Sequence, residues 1–151
     1  MHKRPTFYLG HPFNRREEIR LWELGFEAKH DVELLNPFYD VNREDVLDKD
    51  NDAFYPREKH YKKLVEDDIN LIKDSDYLLA FISNPITIGT TQEIVYAKNM
   101  GKRVFVILSA EDKTTEDELK KIRNHPWLRY HSDRIFLGKE EFEDHISKNY
   151  P

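Results

Sequence analysis

The sequence predicts a three-layer α/β fold in which a mostly parallel sheet of five strands is flanked by helices. Short apolar runs alternate along the chain with longer stretches of helical periodicity, as expected of a parallel sheet covered by helices. The run Tyr77–Ile82 is apolar without interruption, which is typical of a central parallel strand covered on both faces. With 151 residues the chain has the size of one domain, and we expect residues 1–151 to form a single domain.

Each predicted element follows from its own local pattern. Apolar runs predict strands at residues 6–10, 32–35, 77–82, 104–108 and 135–137. Amphipathic or charged stretches between them predict helices at residues 57–74, 89–101, 116–123 and 139–148, and one that starts at residue 14 and ends near Gly25 or shortly after it. This order of elements favours a Rossmann-like or flavodoxin-like sheet.

Polar residues and glycines indicate where some helices begin and end. Asn14 can cap the first helix, with Glu17 as its reciprocal partner, and Gly101 is a good stop for the helix after the central strand. The stretch 38–56 is acidic and aromatic with weak periodicity. We expect it to be a long loop with one helical turn near residues 42–47, and loops of this length are often functional.

Composition excludes several classes of function. The chain has no cysteine, which rules out disulfides, thiolate metal sites and a thiol nucleophile. Its net charge of −5 disfavours nucleic-acid polymers and anionic membranes as partners. No run approaches the roughly 20 apolar residues that span a bilayer, and the start of the chain does not resemble a secretory signal. We therefore expect a cytoplasmic protein.

Common cofactor and catalytic motifs are absent from the sequence. The seven histidines are scattered without ligand spacing, so we expect no metal. The sequence contains no GxGxxG, Walker A or GxSxG motif, and we expect no cofactor. Ligands of parallel α/β sheets bind at the carboxyl ends of the strands, which selects the loops 10–16, 36–56 and 83–93.

Asp68 and Glu93 are the candidate catalytic carboxylates. Asp68 falls on the helix face that should bury Tyr61, Leu64, Val65 and Ile72, where a carboxylate needs a partner or a raised pKa; it could equally bond a neighbouring loop. Glu93 follows a glycine that permits a tight turn, and it could instead form a capping box with Thr90 or Thr91. Two carboxylates at one cavity can cleave a glycosidic bond.

Further candidates lie at the end of the first strand. Tyr8 is either a core residue or part of a site. His11, Arg15 and Arg16 stand at a loop and a helix start, where anions can bind, although solvated charges also occupy such positions.

Three segments together resemble the nucleoside 2-deoxyribosyltransferase family. They are Phe7-Tyr8-Leu9-Gly10-His11-Pro12-Phe13, Asp68-Ile69-Asn70-Leu71-Ile72-Lys73-Asp74-Ser75-Asp76, and Gly89-Thr90-Thr91-Gln92-Glu93-Ile94-Val95-Tyr96-Ala97 followed by Gly101-Lys102-Arg103-Val104. The resemblance covers residues 6–108 in order and with matching spacing.

The resemblance implies an enzyme that transfers a deoxyribosyl group between nucleobases. Glu93 would be the nucleophile that attacks the anomeric carbon, Tyr8 would orient it, and Asp68 would help to protonate the leaving base. The implied substrate-binding residues are Gly10, His11, Phe13, Asn14, Arg15, Asn84, Gly89, Thr90 and Gln92. The implied partners are a nucleoside or nucleotide, a free nucleobase and further copies of the chain in a homo-oligomer.

Two alternatives to deoxyribosyl transfer remain: a hydrolase, and a protein that binds a nucleotide without catalysis. The related nucleoside 5′-monophosphate N-glycosidases use the same glutamate, and His11, Asn14, Arg15 and Arg16 could hold a phosphate. Family members carry acidic residues before the glycine, where this chain has Asn84-Pro85-Ile86-Thr87-Ile88, so a noncatalytic nucleotide-binding module is the other alternative. The aromatic residues Phe38, Tyr39, Phe54 and Tyr55 could form a contact surface, a lid or core packing.

Overall fold

The computed structural model of the protein describes residues 3–40, 61–83, 86–109 and 115–150. Its strands are β1 (Thr6–Gly10), β2 (Glu33–Leu35), β3 (Tyr77–Ile82), β4 (Arg103–Leu108) and β5 (Arg134–Leu137). Its helices are α1 (Arg16–Lys29), α2 (Tyr61–Asp74), α3 (Ile88–Asn99), α4 (Glu116–Arg123), α5 (Pro126–His131) and α6 (Lys139–Asn149). The predicted α/β class is confirmed.

The five strands form one sheet in the order β2-β1-β3-β4-β5, and every neighbouring pair is parallel. This is the flavodoxin-like order. The chain adds β2 on one side of β1 and then β3, β4 and β5 on the other side, so the strand order reverses between β1 and β3. The sheet therefore has a switch point beside the carboxyl ends of β1 and β3, where such folds bind their ligands.

Side chains of β1 alternate between the two faces of the sheet. Phe7 and Leu9 pack in the cluster that includes residues of α1 and α6, whereas Tyr8 packs in the cluster that includes residues of α2 and α3. The fold thus has three layers, with two helices in one outer layer and the helices α2 to α5 contributing to the other. The alternation places Tyr8 on the same side of the sheet as α3.

The first helix differs from its prediction mainly at its start. A 3-10 turn (Phe13–Arg15) precedes it, so Asn14 lies inside this turn and does not cap the helix. The helix also continues through Gly25 to Lys29, because Phe26 is buried and stacks on Trp22. Burial of a phenylalanine outweighs the cost of about 1 kcal/mol for glycine inside a helix.

Helix α5 is absent from the sequence-based prediction. It has six residues, with Pro126 at its first turn and the His125 side chain accepting a hydrogen bond from the Trp127 amide. Such a short segment has too few turns to show a periodicity.

The predicted helical turn at 42–47, the start of the predicted helix at 57–60, and Phe54 and Tyr55 lie outside the described residues. None of the helices in the described segments has the length and apolar character needed to cross a membrane.

Asp76 connects the beginnings of β1 and β3. Its carboxylate accepts hydrogen bonds from the Thr6 amide (3.0 Å) and the Thr6 hydroxyl (3.1 Å). The hydrogen bond from the Thr6 amide is the main cause that lowers the pKa of Asp76. Since a lowered pKa stabilises the fold only while the carboxylate is ionised, its contribution is present at neutral pH and is lost as pH falls below the ordinary pKa.

We therefore predict that Asp76→Ala destabilises the protein at pH 7 by about 1 kcal/mol, a modest value because the carboxylate is exposed to solvent. Urea denaturation at pH 7 and at pH 3 measures the effect. The two proteins should differ less at pH 3, and an equal difference at both pH values would contradict the assigned role of the charge.

Candidate active site

A cavity of about 380 Å³ lies at the carboxyl end of β1, between α2 and α3. Its lining residues come from all three loops that the sequence selected, from α2 and from the middle of α3: His11, Pro12, Phe13, Pro37, Phe38, Leu64, Val65, Asp68, Ile69, Ile72, Thr87, Gly89, Thr90, Gln92, Glu93 and Tyr96. The cavity therefore occupies the position expected for a ligand site in this fold.

Glu93 lies in the second turn of α3 and lines the cavity. Its Oε2 atom is inaccessible to solvent, and a Cβ atom added to Gly10 would lie only 3.1 Å from it. A Cβ on Gly89 would lie 3.8 Å from Oε1. The backbone of β1 thus approaches the carboxylate so closely that Gly10 has no room for a side chain without movement of Glu93.

The alternative in which Glu93 forms a capping box does not fit the observed helix. Helix α3 begins at Ile88, and Thr87 is its N-cap residue. Thr90 instead accepts a hydrogen bond from the Thr87 hydroxyl (3.0 Å), and the Thr91 hydroxyl donates to the Ile88 carbonyl (2.7 Å). Glu93 is therefore too far along the helix to cap its end.

Tyr8 is fully buried and lies beside Gly10 as well. Its ring carbon Cε1 is 3.8 Å from the Cβ position of Gly10, and its hydroxyl is inaccessible to solvent. The Tyr8 ring and the Glu93 carboxylate thus flank the same glycine. The phenol and the carboxylate are brought together by the alternation of β1 and by the placement of α3.

Asp68 lines the same cavity from α2 and is half-buried. Leu64 and Ile72 on this helix are buried, as predicted. The predicted burial of Tyr61 and Val65 is wrong, since these residues are 55% and 49% exposed. The buried stripe of α2 is narrower than the sequence spacing suggested. The cavity holds two carboxylates on facing helices.

Aromatic side chains form the wall at the end of β1. The ring of Phe38 meets His11 edge to face at 4.9 Å and Phe13 at 5.4 Å between centroids. Leu64 packs with Phe13 and Phe38. The guanidinium of Arg16 lies 3.9 Å from the Phe13 ring centroid. We call His11, Phe13 and Phe38 the aromatic wall.

The structure brings some of the remaining predicted binding residues to the cavity and leaves others outside it. The structure places Gly89, Thr90 and Gln92 in the cavity lining, with Gly10 in contact distance of Glu93. Asn14 and Arg15 are not in the lining. Asn84 lies outside the described residues.

Arg15 is committed to other groups. It forms an ion pair with Glu18 (2.8 Å), which is the main cause that lowers the pKa of Glu18, and it donates a hydrogen bond to Ser109. The charge of Arg15 is therefore balanced by Glu18, outside the cavity lining.

Sequence reasoning missed two buried polar residues next to the aromatic wall, Asn36 and Glu23. Asn36 follows β2, and its amide group contacts both the His11 ring and the Glu23 carboxylate. Burial raises the pKa of Glu23 to about 7 and lowers the pKa of His11. The signal that could have found Glu23 is its place on the apolar stripe of α1, between Ile19 and Phe26.

Solved structures share this fold. A conserved protein from Enterococcus faecalis V583 matches 97% of this chain and 99% of its own, with a TM-score of 0.66 and 18% identity. A Clostridium botulinum CMP N-glycosidase matches over 94% and 98%, with a TM-score of 0.53 and 20% identity. A 2-deoxyribosyltransferase from Bacillus psychrosaccharolyticus matches over 87% and 99%, with a TM-score of 0.54 and 16% identity.

Sequence-level comparisons give no match. No protein-family model matches the chain, and no curated protein matches it significantly. The resemblance seen in the three sequence segments is therefore confirmed at the level of the fold, which this chain shares with a 2-deoxyribosyltransferase and with a CMP N-glycosidase.

Proposed function

We propose that the protein cleaves the N-glycosidic bond of 2′-deoxynucleosides and transfers the deoxyribosyl group to another nucleobase through a covalent intermediate on Glu93. One observation carries the proposal: the Glu93 carboxylate and the Tyr8 ring both lie beside Gly10, and Glu93 lines a cavity that Asp68 also lines. The folds shared with a 2-deoxyribosyltransferase and a CMP N-glycosidase support it.

In the first step, a carboxylate oxygen of Glu93 forms a bond to the anomeric carbon as the bond from that carbon to the base nitrogen breaks. The bonding electrons leave with the base, and Asp68 in its acid form delivers a proton to it. The sugar passes through an oxocarbenium-like state, which a nearby carboxylate stabilises. In the second step, the nitrogen of an incoming base attacks the same carbon, releases Glu93 and returns a proton to Asp68.

Tyr8 orients the nucleophile in this proposal. Its ring and the Glu93 carboxylate both lie against Gly10, and the Tyr8 hydroxyl and Glu93 Oε2 are shielded from water. Shielding keeps the carboxylate weakly solvated and therefore reactive. The aromatic wall offers a stacking surface for a nucleobase, an interaction worth about 1–3 kcal/mol per base in other proteins.

The charges that the described residues place in the cavity favour a nucleoside over a nucleotide. Within the described segments, no Lys or Arg side chain lines the cavity, whereas two carboxylates do. A phosphate dianion beside the Glu93 carboxylate would be repelled in a site of low dielectric. Hydrolysis of a nucleoside 5′-monophosphate is the second candidate, favoured by the shared fold with the CMP N-glycosidase.

Base exchange tests the proposal directly. The protein is incubated with a 2′-deoxynucleoside and a different free base, and separately with a nucleoside 5′-monophosphate, and the products are separated chromatographically. A new deoxynucleoside supports transfer, whereas free sugar phosphate supports the hydrolase. Tight nucleotide binding without cleavage in either reaction would identify a noncatalytic module.

Asp68→Asn should slow the reaction according to the leaving group. Because proton delivery typically contributes about 10²–10⁴-fold, we expect kcat to fall by at least 100-fold with natural nucleosides. A deoxyriboside whose nitrophenolate leaving group departs unprotonated should be cleaved by the variant at nearly the normal rate. An equal loss with both substrates would contradict the role of Asp68 as an acid.

A further inference from the structure

A chain of hydrogen bonds lies next to the aromatic wall and ends at a buried carboxylate. Glu23 on α1 is 0% exposed; its Oε2 accepts a hydrogen bond from the Asn36 side-chain nitrogen (2.9 Å), and its Oε1 accepts one from Arg20 (2.8 Å). Asn36, also 0% exposed, lies 3.0 Å from His11 Nε2 through its side-chain oxygen. The chain therefore runs from Glu23 through Asn36 to His11, which lines the cavity.

The orientation of the Asn36 amide determines which ring nitrogen of His11 carries the proton. The backbone N–H of Phe38 donates to the Asn36 side-chain oxygen (3.0 Å), and only this orientation lets the nitrogen donate to the Glu23 carboxylate. The oxygen must then also accept from His11, so His11 Nε2 bears a hydrogen, and the longer contact of Nδ1 with the Pro12 carbonyl oxygen (3.2 Å) is the weaker of the two. His11 Nε2 is thereby engaged with the protein interior.

We propose that Glu23 is a positioning residue for the nucleoside site, which acts through Asn36 to fix the tautomer of His11 and the place of Phe38 in the aromatic wall. The inference rests on the proposed function for the identity of the ligand, but the hydrogen-bond chain itself does not depend on it. Glu23 touches no substrate, and its effect is expected in substrate binding rather than in the chemical step.

The charges around Glu23 make this chain sensitive to pH. Arg20 and Glu27 face it from α1, and Asp40 faces it from the loop after β2. Burial raises the pKa of Glu23 to about 7. This effect outweighs the Asn36 hydrogen bond and the Arg20 charge, which both lower the pKa. When Glu23 takes up a proton, the protonated oxygen can donate to the Glu27 carboxylate, and it becomes a poorer acceptor for Arg20 or for Asn36, which weakens one of the two hydrogen bonds.

Glu23→Gln tests the inference, with Glu17→Gln as a control, because Glu17 is an exposed carboxylate on the same helix. We expect Glu23→Gln to raise KM for the deoxynucleoside by about tenfold, equivalent to 1.4 kcal/mol, with kcat changed less than twofold. In the wild type, KM should rise as pH falls through about 7, and this pH dependence should be absent from the variant. Glu17→Gln should retain both the wild-type KM and its pH dependence.

Nitrogen-15 NMR of the His11 ring gives a readout that does not depend on activity. The wild type should show a ring protonated at Nε2 at pH 8, and the signals should change with pH near 7 and on Glu23→Gln. Ring signals that are unchanged in the variant and over pH 6–8 would overturn the inference, whether or not the wild type is active. An inactive wild type whose His11 responds to Glu23→Gln would instead contradict the proposed function alone.

Discussion

Glu93→Gln is expected to abolish base exchange while leaving the fold intact. The amide keeps the size of the carboxylate but cannot capture the anomeric carbon, and loss of a covalent nucleophile costs orders of magnitude in rate. We expect kcat to fall by about 10⁴-fold or more. Steady-state exchange of base between a deoxynucleoside and a free base measures the loss.

Glu66→Gln is the matched control for this variant. Glu66 is an exposed carboxylate on α2 and does not line the cavity, so its removal should change kcat less than twofold. The intermediate itself can be trapped with a slow-leaving substrate analogue. Intact-protein and peptide mass spectrometry should find one deoxyribosyl group on the peptide containing Glu93. A Glu93→Gln protein that keeps a tenth of wild-type activity, or a sugar on another peptide, would overturn the assignment.

Gly10→Ala should lower kcat by about 10- to 100-fold, although it adds a single methyl group. The new Cβ would lie 3.1 Å from Glu93 Oε2, so the buried carboxylate must move by a few tenths of an ångström. Misplacement of reacting groups by such small distances is costly, reaching about 100-fold for 1 Å. The thermal unfolding midpoint and kcat are measured on the same preparation.

Gly25→Ala is the corresponding control. Gly25 lies inside α1, is exposed, and has no heavy atom within 4 Å of its Cβ position. Alanine there should stabilise the helix by about 1 kcal/mol and leave kcat unchanged. If Gly10→Ala retains full activity, the carboxylate is not held against β1 during the reaction.

The sequence predicted the sheet well because burial leaves a direct signal in it. The uninterrupted apolar run Tyr77–Ile82 could only be a strand covered on both faces, and it is the centre of the sheet. The three loops that line the cavity were predicted for the same reason, since strand ends fix their location. The rule that ligands bind at strand ends could not predict that α2 also lines the cavity.

The errors arose where tertiary packing overrides local preference. Asn14 suggested a helix start, yet a 3-10 turn over Phe13–Arg15 comes first and the helix begins at Arg16. The chain from Glu23 to His11 could not be predicted either, because its members are separated by 13 and 25 residues and meet only in the folded protein. A lone glutamate on an apolar stripe was the single hint.

The two-residue alternation of β1 joins the chemistry of the cavity to the folding of the domain. Phe7 and Leu9 anchor one layer, and Tyr8 and Gly10 serve the opposite side, so neighbouring positions contribute to different layers. Point changes at Phe7 and Leu9 should alter thermal stability alone, and those at Tyr8 and Gly10 should alter turnover as well. Inserting or deleting one residue in this strand would exchange the two roles at once, so a change in the length of β1 should disturb the core and the cavity together.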